Sequence, residues 1–279
     1  MNATDFETVA RILKERSGLA LGKDKAYLLE SRLSPVARKW GFASFDDLIQ
    51  AVRGRADKAL LVDVTEAMMT NESFFFRDQR PFEQFRDVIL PELLRARAAR
   101  RHIRIWCAAC SSGQEPYSLA MVLKEQEARL AGWTIEILGT DISRTILAKA
   151  REGLYSQFEV QRGLPINLLV KHFTQTGERW QIDQQLRRMV RFDYFNLLDD
   201  PKPLGRFDVV YCRNVLIYFD QPTKARVLDN IAEQMAKDGF LVLGGAETVL
   251  GTSNAFGMVP GQRGIYRVAD DRPDAKAAG

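Results

Sequence analysis

The chain has 279 residues, 46% hydrophobic and 27% charged, enough to bury a sizeable core as one large or two modest domains. No apolar run approaches the ~18 residues of a membrane-spanning helix. The start, Met1-Asn2-Ala3-Thr4-Asp5-Phe6-Glu7, lacks the basic and apolar regions of a secretory leader, so the expected location is the cytoplasm. A formal net charge of +4 is mild, and its distribution says more than its total.

Phe6, Val9, Ile12 and Leu13 recur at helical spacing, as do Phe45, Leu48, Ile49 and Val52, then Leu60, Leu61, Val64 and Met68. Asp5 and Ser44 stand where two of these helices need N-caps. With no β-alternation in sight, a small helical domain is expected over residues 1–75. Lys23, Lys25, Arg32, Arg38 and Lys39 form a basic set within it, and Arg95, Arg97, Arg100, Arg101 and Arg104 crowd a second site further on. Both sets admit two readings, solvated helix faces or docking of an acidic partner, protein or nucleic acid. A linking stretch, Thr70 to Asp78, sets Phe74, Phe75 and Phe76 among polar Asn71, Ser73 and Arg77. Core packing accounts for some of the phenylalanines. The polar residues suit a lid over a ligand whose carboxylate pairs with Arg77. An amphipathic helix carrying Phe82, Phe85, Val88, Ile89, Leu93 and Leu94 follows.

From Ile103 strands alternate with helices. Expected strands are 103–107, 134–139, 189–192, 207–212, 240–243 and 264–268, with helices after Gly113, after Asp141 and across 223–237. The alternation predicts an α/β domain over 76–268, a doubly wound, Rossmann-like parallel sheet. Residues 153–188 break the rhythm and read as an inserted antiparallel β-subdomain, with a helical piece at 165–172 and strand-like segments at 173–176 and 179–182. The polar tail 269–279 is expected to be disordered.

The run from Trp106 to Ser118 is the most informative: a strand, a turn of small residues through Ser111-Ser112-Gly113, then a helix. Such a turn lets a nucleotide ligand touch backbone. Glu115 decides which ligand, because a carboxylate at a helix N-terminus repels a pyrophosphate. No Gly-Lys-Ser/Thr is present. An adenosine ligand with a cation fits better, and S-adenosylmethionine carries a sulfonium and an ammonium. Cys107 and Cys110 read as small packing residues rather than a redox pair, and no metal site is expected. Asp141 ends the second strand, placed either for ribose hydroxyls or as the cap of the next helix. Asn196 follows the third strand, where an amide can read an adenine or merely end a loop. Arg213-Asn214 interrupts apolar runs at the end of a buried strand, a costly placement unless something pairs with it.

These strings, Thr70-Asn71-Glu72-Ser73-Phe74-Phe75-Phe76-Arg77, Ser112-Gly113-Gln114-Glu115-Pro116-Tyr117-Ser118, Gly139-Thr140-Asp141-Ile142-Ser143 and Cys212-Arg213-Asn214-Val215-Leu216-Ile217-Tyr218-Phe219, resemble the signatures of the chemotaxis receptor methyltransferases, the CheR family. The resemblance runs in order to about residue 268. It implies methyl transfer from S-adenosylmethionine to glutamates in the cytoplasmic domains of membrane chemoreceptors, with no nucleic-acid partner and no insertion into the membrane. It also implies cofactor contacts at Asn71, Ser73, Arg77, Glu115, Asp141, Asn196, Leu197, Arg213 and Asn214. Ser73 stands where many relatives have Thr and keeps the hydroxyl. Some members tether to a receptor's C-terminal pentapeptide through a Gly-rich loop of the β-subdomain. Here the stretch Phe173 to Trp180 is short and holds one Gly, so the variant without tethering is expected. Arg77 and Arg213 are the candidates for orienting carboxylates during catalysis, while Tyr218 either walls the cleft or belongs to the core. A methyltransferase for RNA and a non-catalytic adenosine-binding signalling module are the competing readings.

Overall fold

The computed structural model describes residues 3–54 and 57–269. The chain divides into two units: residues up to Thr70 together with Tyr218–Lys224, and Asn71–Ile217 together with Ala225 onward.

The first unit holds α1 (Ala3–Ser17), α2 (Ala26–Lys39), α3 (Phe45–Arg53) and α4 (Lys58–Met68). The apolar positions expected from their spacing, among them Val9, Leu13, Leu48, Ile49 and Val64, form its core with Leu29 and Leu33 of α2. Ser44 caps α3, accepting the Asp47 N–H at 3.1 Å. Asp5, the other residue expected as a cap, is the third residue of α1. It lies inside the first turn of α1, buried, with its carboxylate 2.6 Å from an Arg53 nitrogen of α3. The basic set is partly committed. Arg32 donates to the Met68 carbonyl at 2.7 Å, closing the carboxyl end of α4, and Lys39 pairs with Asp63 at 2.7 Å. Lys25 and Arg38 are exposed.

The second unit opens with α5 (Arg80–Gln84), a π-helical turn at Phe85–Ile89, and α6 (Leu90–Ala96). Then come β1 (His102–Ala108), α7 (Gln114–Lys124), β2 (Thr134–Asp141) and α8 (Arg144–Glu152). The insertion contains β3 (Leu154–Ser156), α9 (Gln157–Gln161), α10 (Ile166–His172), β4 (Phe173–Thr176), β5 (Arg179–Ile182) and α11 (Gln184–Arg188). The chain continues through β6 (Val190–Tyr194), β7 (Phe207–Cys212), α12 (Gln221–Glu233), β8 (Met235–Leu243), β9 (Phe256–Met258) and β10 (Ile265–Val268). Seven strands form one sheet in the order β6-β2-β1-β7-β8-β10-β9, and β3-β5-β4 form a separate antiparallel sheet.

From β6 through β8 the large sheet is parallel, but β10 runs antiparallel to β8 and β9 antiparallel to β10. The sheet is therefore mixed rather than wholly parallel. The link from β8 to β10 contains no helix, and without a crossover helix the returning chain pairs antiparallel. The helix expected to reach Lys237 stops at Glu233, and β8 begins five residues earlier than the Val/Leu run that announces it.

Three arginines, two ahead of β1 and one within it, serve the fold. Asp208, buried near the start of β7, accepts from Arg97 Nε at 2.8 Å, Arg100 Nη2 at 2.6 Å and the Arg104 N–H at 2.9 Å. Arg97 also holds Asp238 at 2.6 Å, and Arg104 pairs with Glu136 at 3.0 Å.

Candidate active site

The turn between β1 and α7 is unusually curved. Ala109, Ser111 and Gly113 all take left-handed φ angles, +57°, +51° and +87°. A Cβ on Gly113 would stand 3.1 Å from the Ala150 Cβ and the Phe192 ring, so conformation and space both demand glycine there. Ser111 is bound on both sides: its N–H donates to Asp141 Oδ2 at 2.9 Å and its Oγ to the Asn71 carbonyl at 2.9 Å. Asp141 Oδ1 accepts the Ser143 N–H at 3.0 Å. The cap of α8 is Ser143, whose Oγ accepts the Ile146 N–H at 3.2 Å. Asp141 thus braces the end of β2 against the β1 turn at the carboxyl edge of the sheet, where ligands of open α/β folds bind.

Glu115 lies in the first turn of α7, and its Oε2 receives Arg213 Nη1 at 2.9 Å. The same guanidinium donates through Nη2 to the Arg77 carbonyl at 2.7 Å and to Asp78 Oδ2 at 2.8 Å. Its side chain is 1% exposed, so the costly placement after β7 is compensated by two carboxylates. Its Nε is buried without a partner among the described residues. Burial raises the pKa of Glu115, and the charge of Arg213 opposes that rise.

The linking loop divides its aromatics among three tasks. Phe75 enters the core edge-on to Tyr155 and Phe173, with centroids 4.9 and 5.5 Å away. Phe76 meets Phe82 at 5.2 Å, and Phe74 lies beneath the guanidiniums of Arg77 and Arg162, at 5.4 and 4.3 Å. Arg77 Nη1 donates to the Glu72 carbonyl at 2.9 Å. Ser73 is half-buried in the same loop.

Asn214 adopts a left-handed φ of +58°. Its N–H and those of Val215, Leu216 and Gly244 converge on the carboxylate of Glu247 at 2.7, 2.9, 2.8 and 2.8 Å. Glu247 is 9% exposed and belongs to no motif singled out from the sequence. A lone acidic residue shortly after Gly244-Gly245 was the available signal. Beyond β6, the Phe195 N–H donates to the Asp141 carbonyl at 3.1 Å, which extends the pairing with β2 and sets Asn196 and Leu197 just past its end. Asn196 Oδ1 accepts the Leu198 N–H at 3.1 Å, an Asx turn that serves the loop.

Hydrogen bonds therefore form two sets, one joining Asn71, Ser111 and Asp141 and the other Glu72, Arg77, Arg213, Glu115 and Asp78, which meet along the chain at Asn71–Glu72, with Asn214 following Arg213. Tyr218 is counted with the helical unit, where its carbonyl accepts the Ala20 N–H at 2.9 Å. The histidines are engaged elsewhere, His102 with Glu136 at 2.8 Å and His172 with Glu125 at 3.1 Å. Cys107, Cys110 and Cys212 are buried thiols, each pushed up in pKa by burial. Among the described residues no group of three or more acidic, His or Cys side chains is arranged to hold a metal.

Four carboxylates, Asp78, Glu115, Asp141 and Glu247, stand against two guanidiniums, Arg77 and Arg213, so the framework is negative overall. That donor set fits a sulfonium and an ammonium and opposes a pyrophosphate.

Residues 71–265 match the family model described as CheR methyltransferase, SAM binding domain, and residues 4–69 the one described as CheR methyltransferase, all-alpha domain. The chain is 38% identical over 264 residues to a chemotaxis protein methyltransferase of Vibrio parahaemolyticus, covering 94% of this chain and 95% of that one. It is 39% identical over 268 residues to one from Pseudomonas aeruginosa, covering 94% and 97%, and 34% identical over 261 residues to one from Borreliella burgdorferi, covering 92% of each. The protein belongs to the CheR methyltransferase family, with S-adenosylmethionine as its cofactor.

Proposed function

We propose that the protein transfers a methyl group from S-adenosylmethionine to glutamate side chains in the cytoplasmic region of chemoreceptors, giving glutamate methyl esters. The observation that carries this reading is the Glu115–Arg213–Asp78 framework: a cluster of carboxylates at the carboxyl edge of the sheet, in a chain whose two histidines are engaged elsewhere. A glutamate acceptor has a pKa near ~4.3 and is already ionised at neutral pH, so it attacks without a general base. The bound donor supplies an electrophilic methyl: a carboxylate oxygen–carbon bond forms, the carbon–sulfur bond breaks, and its electron pair stays on sulfur. The protein's part is alignment and the exclusion of water, which favours a reaction in which opposite charges cancel.

In this reading Asp141 takes the ribose, Glu115 faces the cationic end of the donor, and Asn196 with Leu197 flanks the adenine. Asn71, Ser73 and Asn214 complete the cofactor contacts. Arg213 already holds Glu115 and Asp78, which supports a positioning role for it. Arg77, held by the Glu72 carbonyl and the Phe74 ring, is the better-placed cation for an incoming carboxylate.

We also propose that the enzyme works without pentapeptide tethering, in the cytoplasm. The hairpin of β4 and β5 turns through two residues, Gly177 and Glu178, which supports the untethered variant. No helix among the described residues is long and apolar enough to cross a membrane. The RNA reading loses its motive, since Arg97, Arg100 and Arg104 are spent on Asp208, Asp238 and Glu136. Incubation with labelled donor and receptor cytoplasmic fragments, followed by mass spectrometry, is expected to find base-labile methyl esters on glutamates. Base-stable label, or label on RNA, would overturn the proposal.

A further inference from the structure

A cleft of about 660 Å³ opens where β8 ends, between α5, the loop that follows Gly244 and the hairpin of β9 and β10. Four side chains along it are uncommitted. Leu250 and Met258 are large apolar groups left 63% and 52% exposed. Arg80 and Arg263 line the same cleft and have no carboxylate partner among the described residues. Its own acidic groups are occupied, Asp78 by Arg213 and Glu247 by four backbone N–H groups. What the cleft offers a visitor is therefore two cations beside two apolar surfaces. That combination complements a segment carrying carboxylates on one side and apolar residues on the other.

The position of the cleft adds to this. Asp78 and Glu247 belong both to its wall and to the framework around Arg213 and Asn214. A segment lying in the cleft thus ends beside the methyl-transfer site. We propose that the cleft docks the methyl-accepting segment of the protein substrate, an acidic amphipathic stretch. Leu250 and Met258 take its apolar side, and Arg80 and Arg263 take the carboxylates flanking the reactive glutamate. The inference rests on the reading that the acceptor is a receptor glutamate.

The test uses the full chain and the purified cytoplasmic fragment of a chemoreceptor that the wild type methylates. For Arg80→Glu/Arg263→Glu, the KM for that fragment should rise about tenfold or more, while kcat at saturation and the affinity for S-adenosylhomocysteine stay within about twofold of wild type. Added salt should raise the wild-type KM and leave that of the variant flat. If the reversal variant does not fold, Arg80→Gln/Arg263→Gln should still raise KM by about threefold. An unchanged KM in a variant that binds S-adenosylhomocysteine normally overturns the docking site alone. A KM change matched by an equal loss of S-adenosylhomocysteine affinity also overturns it, because the cleft would then be shaping the donor site. A wild type that methylates no receptor fragment sinks the functional reading, and the docking proposal falls with it.

Discussion

Burial strips water from the Glu115 carboxylate and raises its pKa, while Arg213 pulls it part of the way back. With the folded-state pKa above the ordinary value, the folded chain holds this proton more tightly than the unfolded chain. The group's contribution to stability is therefore present below the ordinary carboxylate range and is lost as pH rises through the folded pKa. Glu115→Gln, permanently neutral, is expected to melt above the wild type near neutral pH without ligand, with the gap closing toward about pH 4, and to bind S-adenosylmethionine more weakly. A melting difference independent of pH would contradict the assignment. Asp141→Ala is expected to weaken cofactor binding about tenfold or more, some 1.4 kcal/mol, as read by titration calorimetry. Unchanged affinity would reduce Asp141 to a brace for Ser111 and Ser143. Both carboxylates were legible, Glu115 in the small-residue turn that opens α7 and Asp141 at the end of β2, as was Arg213 just after β7. Glu247 was not, because its partners are backbone N–H groups, three of them 31 to 33 residues away, which leave no mark on side-chain identity. The Asx turn of Asn196 agrees with one of the two readings open for it from the sequence, the end of a loop.

Charge at the foot of the sheet is spent on joining elements. Arg97, with its side chain 9% exposed, links the end of α6 to Asp208 on β7 and Asp238 on β8. Removing one member of a buried pair leaves an uncompensated charge and costs ~3–5 kcal/mol. Arg97→Ala is expected to lose stability on that scale in chemical denaturation, with Arg100 softening the loss, while the folded fraction binds S-adenosylmethionine as the wild type does. A loss of cofactor affinity at full folding would mean that the network reaches the site. This use of the arginines was not legible, because an Arg run reads alike whether it faces water or a buried carboxylate far along the chain. Among the strands, β7 and the end of β8 announced themselves as apolar runs covered on both faces, whereas β6 alternates buried Val190 and Phe192 with exposed Arg191. The three-residue β3 and β9 carry too few positions for any period to emerge, and the direction of β10 depends on the missing crossover helix rather than on its own residues.

At the scale of the whole chain, the path crosses between units more often than its motifs suggest. It leaves the methyltransferase unit at Tyr218 and returns at Ala225, so the first turn of α12 is counted with the helical unit and the rest of α12 with the sheet. Two contacts hold the excursion within the helical unit: the Ala20 N–H on the Tyr218 carbonyl at 2.9 Å, and Lys14 Nζ on Asp220 at 2.6 Å. The hydrogen bond from Lys14 is the main reason that the Asp220 pKa falls from 3.8 to about 2. A lowered carboxylate pKa contributes stability that is present above the unfolded value and lost as pH drops through the folded one. For this exposed pair the effect is small and screened by salt. Lys14→Ala is therefore expected to melt slightly below the wild type at neutral pH, with the difference fading between 3.8 and about 2 as Asp220 takes up its proton. Carbon-13 NMR of the Asp220 carboxyl should show its midpoint moving up toward 3.8 in the variant. An Asp220 midpoint unmoved by the loss of Lys14 would mean that the excursion is held in place by packing and not by this pair.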